Sequence, residues 1–168
     1  MDLDNLPATV RDFVIAILPQ VRDLSIAYAL AFVLGWNRER RGHSAGLRTF
    51  PLVAIASCGF VQAAETMVGS SPEALARVVE GVITGIGFIG AGAILKGGTH
   101  VHGTATAASI WVTGAIGAAI GLGSYQVAVT LCLFAAVTLY MISRLKPDRV
   151  EEEEAHRATL AAEDRDRE

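Results

Sequence analysis

Long uncharged, apolar runs alternate with short polar stretches along the 168-residue chain. Five runs stand out, at 21–36, 50–67, 78–95, 104–122 and 125–142. A helix needs about 20 predominantly apolar residues to cross a bilayer core, within a range of about 17–25. The last four runs fall in that range. The first is shorter and has Arg22 and Asp23 at its mouth. A small soluble domain has too little interior to hide five such runs. The pattern therefore predicts an all-α, polytopic membrane protein of about five transmembrane helices, or four if 21–36 only dips into the interface.

Punctuation between the runs fits helices. Thr49 is placed to cap the second run with Pro51 in its first turn, where a missing N–H costs little. Thr104 is placed to cap the fourth run and Ser124 the fifth, with Gly121 and Gly123 allowing a tight reversal between them. Pro147 stops the chain after Lys146. The stretch 8–18 ends at Pro19 and reads as a lead-in or a helix lying on the outer surface.

Basic residues in short loops mark the cytoplasmic side. Arg38, Arg40, Arg41 and Arg48 place the loop 37–48 inside, and the mainly acidic 65–77 loop then lies outside. Lys96, His100 and His102 return to the inside, the uncharged 121–124 turn lies outside, and Arg144, Lys146 and Arg149 bring the tail inside. The expected topology has the N-terminus outside and the C-terminus cytoplasmic. It divides the chain into a lead-in at 1–20, a transmembrane domain at 21–143 and a charged tail at 144–168.

Composition agrees. Hydrophobic residues make up 52% of the chain without counting its 17 glycines, and mean hydropathy is +0.43. The stretch 144–168 holds six of the 14 basic and nine of the 17 acidic residues, so the net charge of −3 arises there and the rest is balanced. That balance argues against a nucleic-acid partner. The acidic start, Met1 to Asp12, lacks the basic region of a signal peptide. Cys58 and Cys132 lie in apolar runs without metal-ligand or disulfide-framework spacing.

The third run contains Gly85-Ile86-Gly87-Phe88-Ile89-Gly90, which matches the dinucleotide-binding letters G-x-G-x-x-G. That site needs a preceding strand and an acidic residue about 20 positions on. Here the glycines sit within an apolar span and no acid follows at that distance. Close helix packing is the better reading, because small residues let backbones approach in lipid. Gly81 and Gly85 form one GxxxG pair, and Gly117 and Gly121 another, which nominates the third and fourth helices as a tight central pair. Such seams serve packing within the chain or a homo-oligomer equally well. Glycine-rich spans also expose carbonyls that ions use in transporters.

Among polar residues, Glu80 follows Arg77 by one turn. The two form either an interfacial i, i+3 pair, worth roughly 0.2–0.5 kcal/mol, or part of a cation or proton site. Arg38, Glu39 and Arg48 are topology anchors or a structured polar cluster with Ala45-Gly46-Leu47. Thr106, Ser109 and Thr113 fall near one helical face and are expected to bond back to their own helix. His100 and His102 lack the carboxylates a metal site would add. No catalytic constellation is visible, and the expectation is a protein that is not an enzyme.

Three stretches resemble the MgtC/SapB membrane proteins: Leu34-Gly35-Trp36-Asn37-Arg38-Glu39-Arg40 with Ala45-Gly46-Leu47-Arg48-Thr49; the run from Arg77 through Glu80-Gly81 and Gly85-Ile86-Gly87-Phe88-Ile89-Gly90-Ala91-Gly92 to Ile94; and Val101-His102-Gly103-Thr104-Ala105-Thr106 on to Trp111. The resemblance covers about 24–142. It implies a bacterial inner-membrane protein with about five spans, linked in the family to growth in low magnesium and, in some pathogens, to survival inside host cells. It implies action on membrane partners such as the ATP synthase. The residues it carries over are Arg38, Glu39, Gly46, Arg48, Arg77, Glu80, Gly85, Gly87, Gly90, Gly92, Thr104 and Thr106. Two departures are visible. Longer members carry a folded C-terminal cytoplasmic domain where this chain has a charged tail. The family pattern has glutamine at Glu80 and Gly-Leu-Thr-Thr at Gly103-Thr104-Ala105-Thr106.

The leading expectation is a partner-directed membrane protein of magnesium or acid-stress adaptation. It has no resident cofactor, and Mg2+ enters only as ligand or transported ion. The alternative is a permease or channel for magnesium or another cation, with Glu80, Glu39 and the glycine-rich backbone forming its path.

Overall fold

The computed structural model of the chain describes residues 7–43, 45–69, 71–97 and 100–145. It contains five helices: α1 (Ala8–Arg40), α2 (Thr49–Val68), α3 (Pro72–Gly92), α4 (Thr104–Gly121) and α5 (Tyr125–Leu145). Two short strands, β1 (Leu95–Gly97) and β2 (His100–His102), pair antiparallel between α3 and α4, where the sequence reading had only a loop. The chain divides into two compact units, Met1–Ala136 and Val137–Glu168; of the second, the end of α5 is described. The expected stop at Pro147 and the charged tail lie outside the described residues.

Helices α1 to α4 are long and apolar enough to cross a membrane, and α5 adds a shorter apolar stretch, Tyr125–Met141. Large apolar side chains such as Phe13, Phe60, Phe88, Trp111 and Phe134 stand exposed. A soluble protein does not tolerate so much exposed apolar surface, whereas acyl chains solvate it.

Pro19 does not end a helix. α1 runs through it for 33 residues, about 50 Å at 1.5 Å per residue. Proline removes one intrahelical bond, but with helix on both sides and lipid outside, the remaining backbone groups are best satisfied by continuing. The packed part of α1 nevertheless begins only at Asp23: Asp23, Ala27, Ala31, Leu34, Asn37 and Arg38 form a buried helical stripe. α1 closes in a glycine turn at Gly42 (φ 68°), whose N–H donates to the Glu39 carbonyl while the His43 N–H donates to that of Arg38.

Two expected caps shift by one residue. Arg48 and Gly103 occupy the cap positions of α2 and α4, so Thr49 and Thr104 are the first helical residues, and neither helix has a side-chain cap bond. Ser71 caps α3 through its hydroxyl, which accepts from the Ala74 N–H at 3.4 Å. Ser124 does stand at the head of α5, its carbonyl accepting from the Ala128 N–H.

α4 is the axis of the packing. Eleven of its residues are buried, including every one from Ile116 to Gly121. A Cβ added at Gly117 would collide with the Ala54 carbonyl oxygen of α2, and one at Gly121 would lie 2.8 Å from Val61 Cβ and 2.9 Å from the Cys58 carbonyl oxygen. The tight central pair is therefore α2 with α4, not α3 with α4. α3 touches α4 more loosely: a Gly90 Cβ would lie 3.3 Å from the Ala107 carbonyl oxygen, and Ile86 fills the notch at Gly114. Among the described residues, nothing lies within 4 Å of a Cβ built at Gly81, Gly85, Gly87 or Gly92. These contacts also fix direction. Positions rise together along α2 and α4 and run opposite along α3 and α4, as alternate crossings of a bilayer require.

Candidate functional site

The fold gathers polar side chains at two places, one at each end of the packed bundle. The first lies where α1 meets the α2 entry and the start of α4. Arg38 is buried, and its Nη2 donates to Thr106 Oγ1. Thr106 is the exception among the α4 hydroxyls: those of Ser109 and Thr113 bond back to the carbonyls of Ala105 and Ser109, as the sequence predicts. Asn37, beside Arg38, is also buried, with its Oδ1 lacking a hydrogen-bond partner among the described residues.

Glu39 turns back on the loop instead of extending into solvent. Its Oε2 accepts the Leu47 N–H at 3.0 Å, and a side chain at Gly46 would run into that carboxylate. The Gly46 carbonyl accepts the Phe50 N–H at 3.1 Å and lies against Gly35, where a Cβ would come within 3.1 Å of it. Gly35, Glu39 and Gly46 thus form one interlocked turn between α1 and α2. This accounts for the grouping of charge and glycine in that loop, which topology alone does not explain. At Gly103, φ is 85° and a Cβ would strike the Ala93 carbonyl oxygen, so glycine is required where the hairpin hands over to α4.

Not every expected residue joins. Arg48 is exposed and makes no hydrogen bond or ion pair among the described residues, and Thr104 is exposed two residues before Thr106. Arg40 lies over the Trp36 ring at 5.3 Å. Arg77 and Glu80 are both exposed on α3 and do not pair with each other, which removes the expected interfacial i, i+3 bridge. Glu80 and Glu39 lie on different helices, α3 and α1, and make no contact with each other among the described residues. The side chains of Lys96, His100 and His102 lie outside the described residues.

The second polar site centres on Asp23, which the sequence reading left at the mouth of a helix. Asp23 is buried, and its Oδ1 accepts from Arg22 Nε (2.9 Å) and from the Tyr125 hydroxyl (2.7 Å), while its Oδ2 accepts from Gln62 Nε2 (3.1 Å). Arg22 Nη2 also reaches the Tyr125 oxygen at 2.7 Å. The cluster ties α1, α2 and α5 together. Its signal in the sequence was one acid inside an apolar helix together with polar residues at matching depth on neighbouring runs, since an intramembrane charge demands partners.

Both carboxylates that the fold organises are already occupied as hydrogen-bond acceptors. Among the described residues no three histidine, cysteine or acidic side chains converge. The described residues thus do not form a preassembled cage for Mg2+, which needs about six oxygens in near-octahedral array.

The sequence comparisons bear on the same residues. The MgtC family model matches residues 24–147. The chain is 42% identical over 135 residues to Protein SrpB of Synechococcus elongatus, covering 73% of this chain and 74% of that protein. It is 37% identical over 108 residues to Protein MgtC of Salmonella typhimurium, covering 64% of this chain and 46% of that one. It is 38% identical over 111 residues to Protein MgtC of Brucella abortus, covering 66% and 46%. The chain therefore spans about half the length of the MgtC relatives it matches. No solved structure matches it. The matched region holds the α1–α2 turn, the glycine-rich α3 and the buried α4 in one membrane-embedded domain, and the chain belongs to the MgtC family.

Proposed function

We propose that this chain is a non-enzymatic inner-membrane protein of the MgtC/SapB type that serves adaptation to low magnesium or acid stress by acting on membrane partners, the ATP synthase among them. Family membership supplies the link to magnesium. The observation that favours partner action over transport is the apolar packing between the two polar sites.

Asp23 and Arg38 are 15 residues apart on α1, about 22 Å of helix. Between them α1 turns Ala27, Ala31 and Leu34 inward, all fully buried. On α4, Ile110, Ile116 and Ile120 are also buried. The buried hydroxyls of that region, on Ser57, Ser109 and Thr113, bond back to their own helices. A permeating cation needs successive oxygen ligands in place of its water, and the described core of the protomer offers no such series. The arginine-rich turn after α1 supports an orientation with that turn and the C-terminus in the cytoplasm.

The test is magnesium entry into sealed proteoliposomes holding the purified protein, read with a trapped dye, alongside crosslinking in native membranes. No entry from folded, inserted protein, with a crosslinked membrane partner at native expression, is the expected result. Protein-dependent, saturable entry would overturn the reading in favour of a permease.

A further inference from the structure

One face of α3 combines exposed charges with open glycines. Arg77, Glu80, Gly81, Thr84, Gly85, Phe88 and Gly92 are all exposed and fall on one side of the helix, opposite buried Ile86 and Gly90. The face carries a cation and an anion three residues apart that bond neither to each other nor to any other described residue. Gly81 and Gly85 have no neighbouring atom within 4 Å of a built Cβ. They also floor an apolar groove of about 650 Å3 between α2 and α3, walled by Phe60, Met67, Val78 and Ile89. Phe88 projects from the same face at 83% exposure.

We propose that this face is a homodimer interface, with α3 of one copy packed along α3 of a second copy about a two-fold axis normal to the membrane. Charge selects the occupant. Two copies inserted in the same direction place their α3 helices parallel, and a two-fold axis between them faces like residues with like. A face bearing only one sign would repel itself. This face bears both, about 4.5 Å apart along the axis, so Arg77 of each copy reaches Glu80 of the other and two pairs form by symmetry. Beneath them the open glycines let the backbones approach. Phe88 then has an apolar groove beside it to enter. The same molecule shows how such a seam is filled: Gly117 and Gly121 receive the backbone and side chains of α2. This interface is independent of the proposed role in magnesium adaptation.

The full-length protein is reconstituted in bilayers at graded dilution, and its association is followed by single-molecule photobleaching. Gly85→Leu fits the open space of the protomer, so it leaves the fold intact while blocking approach, and is expected to weaken association roughly tenfold or more. Arg77→Glu is expected to weaken it similarly, and Arg77→Glu combined with Glu80→Arg to restore it, an outcome that a merely folding-related effect would not produce. A protein that remains monomeric at every dilution overturns the proposal. So does a dimer indifferent to both variants, or a face occupied instead by lipid or by a different membrane protein.

Discussion

Replacing Gly117 with alanine tests the finding that α2 and α4 form the tight seam of this fold. The added methyl has no free volume: its carbon would fall on the Ala54 carbonyl oxygen, with the Ala54 carbonyl carbon and Cα both 2.9 Å away. These are backbone atoms of a buried helix and cannot rotate aside as a side chain does. Overpacking of this kind costs about 1–3 kcal/mol, and a rigid obstacle belongs at the upper end. Alanine returns up to about 1 kcal/mol of helix propensity over glycine, leaving a net loss of about 2 kcal/mol. The same exchange at Gly81 meets open space, so it keeps the propensity gain and is neutral or slightly stabilising in the monomer. Gly90→Ala, 3.3 Å from the Ala107 carbonyl oxygen, falls between. The assay is reversible unfolding in lipid–detergent bicelles followed by far-ultraviolet circular dichroism. The order expected is Gly117 most costly, then Gly90, then Gly81. Equal stabilities for Gly117→Ala and Gly81→Ala, or a reversal, would refute the placement of the seam.

Three further outcomes follow from the polar sites and are read by the same unfolding measurement. Thr106→Val removes the hydroxyl that receives Arg38 inside the bundle and is expected to cost about 1.5–3 kcal/mol, the range for hydrogen bonds to charged groups. Gly46→Ala pushes a methyl into the Glu39 carboxylate; its cost should shrink in a Glu39→Ala background, and a double-mutant cycle that shows simple additivity would contradict the interlocked turn. Asp23→Ala should destabilise more than Gln62→Ala, because Asp23 is the shared acceptor of three donors and Gln62 contributes only one of them.

The sequence carried the existence and type of the helices because apolar length is a coarse signal that lipid enforces residue by residue. It carried the α1–α2 turn less completely. Arg38 and Glu39 were visible as a cluster, yet their roles diverge: Arg38 goes inward to Thr106 while Glu39 closes a loop. Glycine positions misled in one respect. A GxxxG pair states that a helix can be approached closely, not which helix does so, and the pair on α4 met α2 while the pair on α3 met no close neighbour among the described residues. Pro19 misled for a related reason: local geometry reads it as a terminator, whereas the shortage of alternative hydrogen-bond partners in lipid carries α1 through it. The Asp23 site needed three helices brought together at one depth, which no single run reveals.

The contrast between Asp23 and Glu80 bears on what α3 does. Both acids lie inside helices long and apolar enough to span. Asp23 is surrounded by three donors from three helices, so the fold is able to satisfy an intramembrane carboxylate when one is wanted for its own stability. Glu80 receives none at its carboxylate among the described residues. It is the ninth residue of α3, about 12 Å along the axis, and a carboxylate so placed costs up to about 2.5–3.5 kcal/mol near the bilayer centre. Arg77 escapes part of its own penalty by extending its long side chain towards the interface. Glu80 is shorter and deeper and has less room to do so. The MgtC/SapB pattern that this chain resembles has glutamine at that position, which fits lipid at smaller cost. A charge that the protomer does not satisfy, next to glycines that the protomer does not fill, is best explained by contacts that the single chain lacks. This contrast is what the proposed α3 interface rests on, while α2 and α4 form the tight seam of the described bundle.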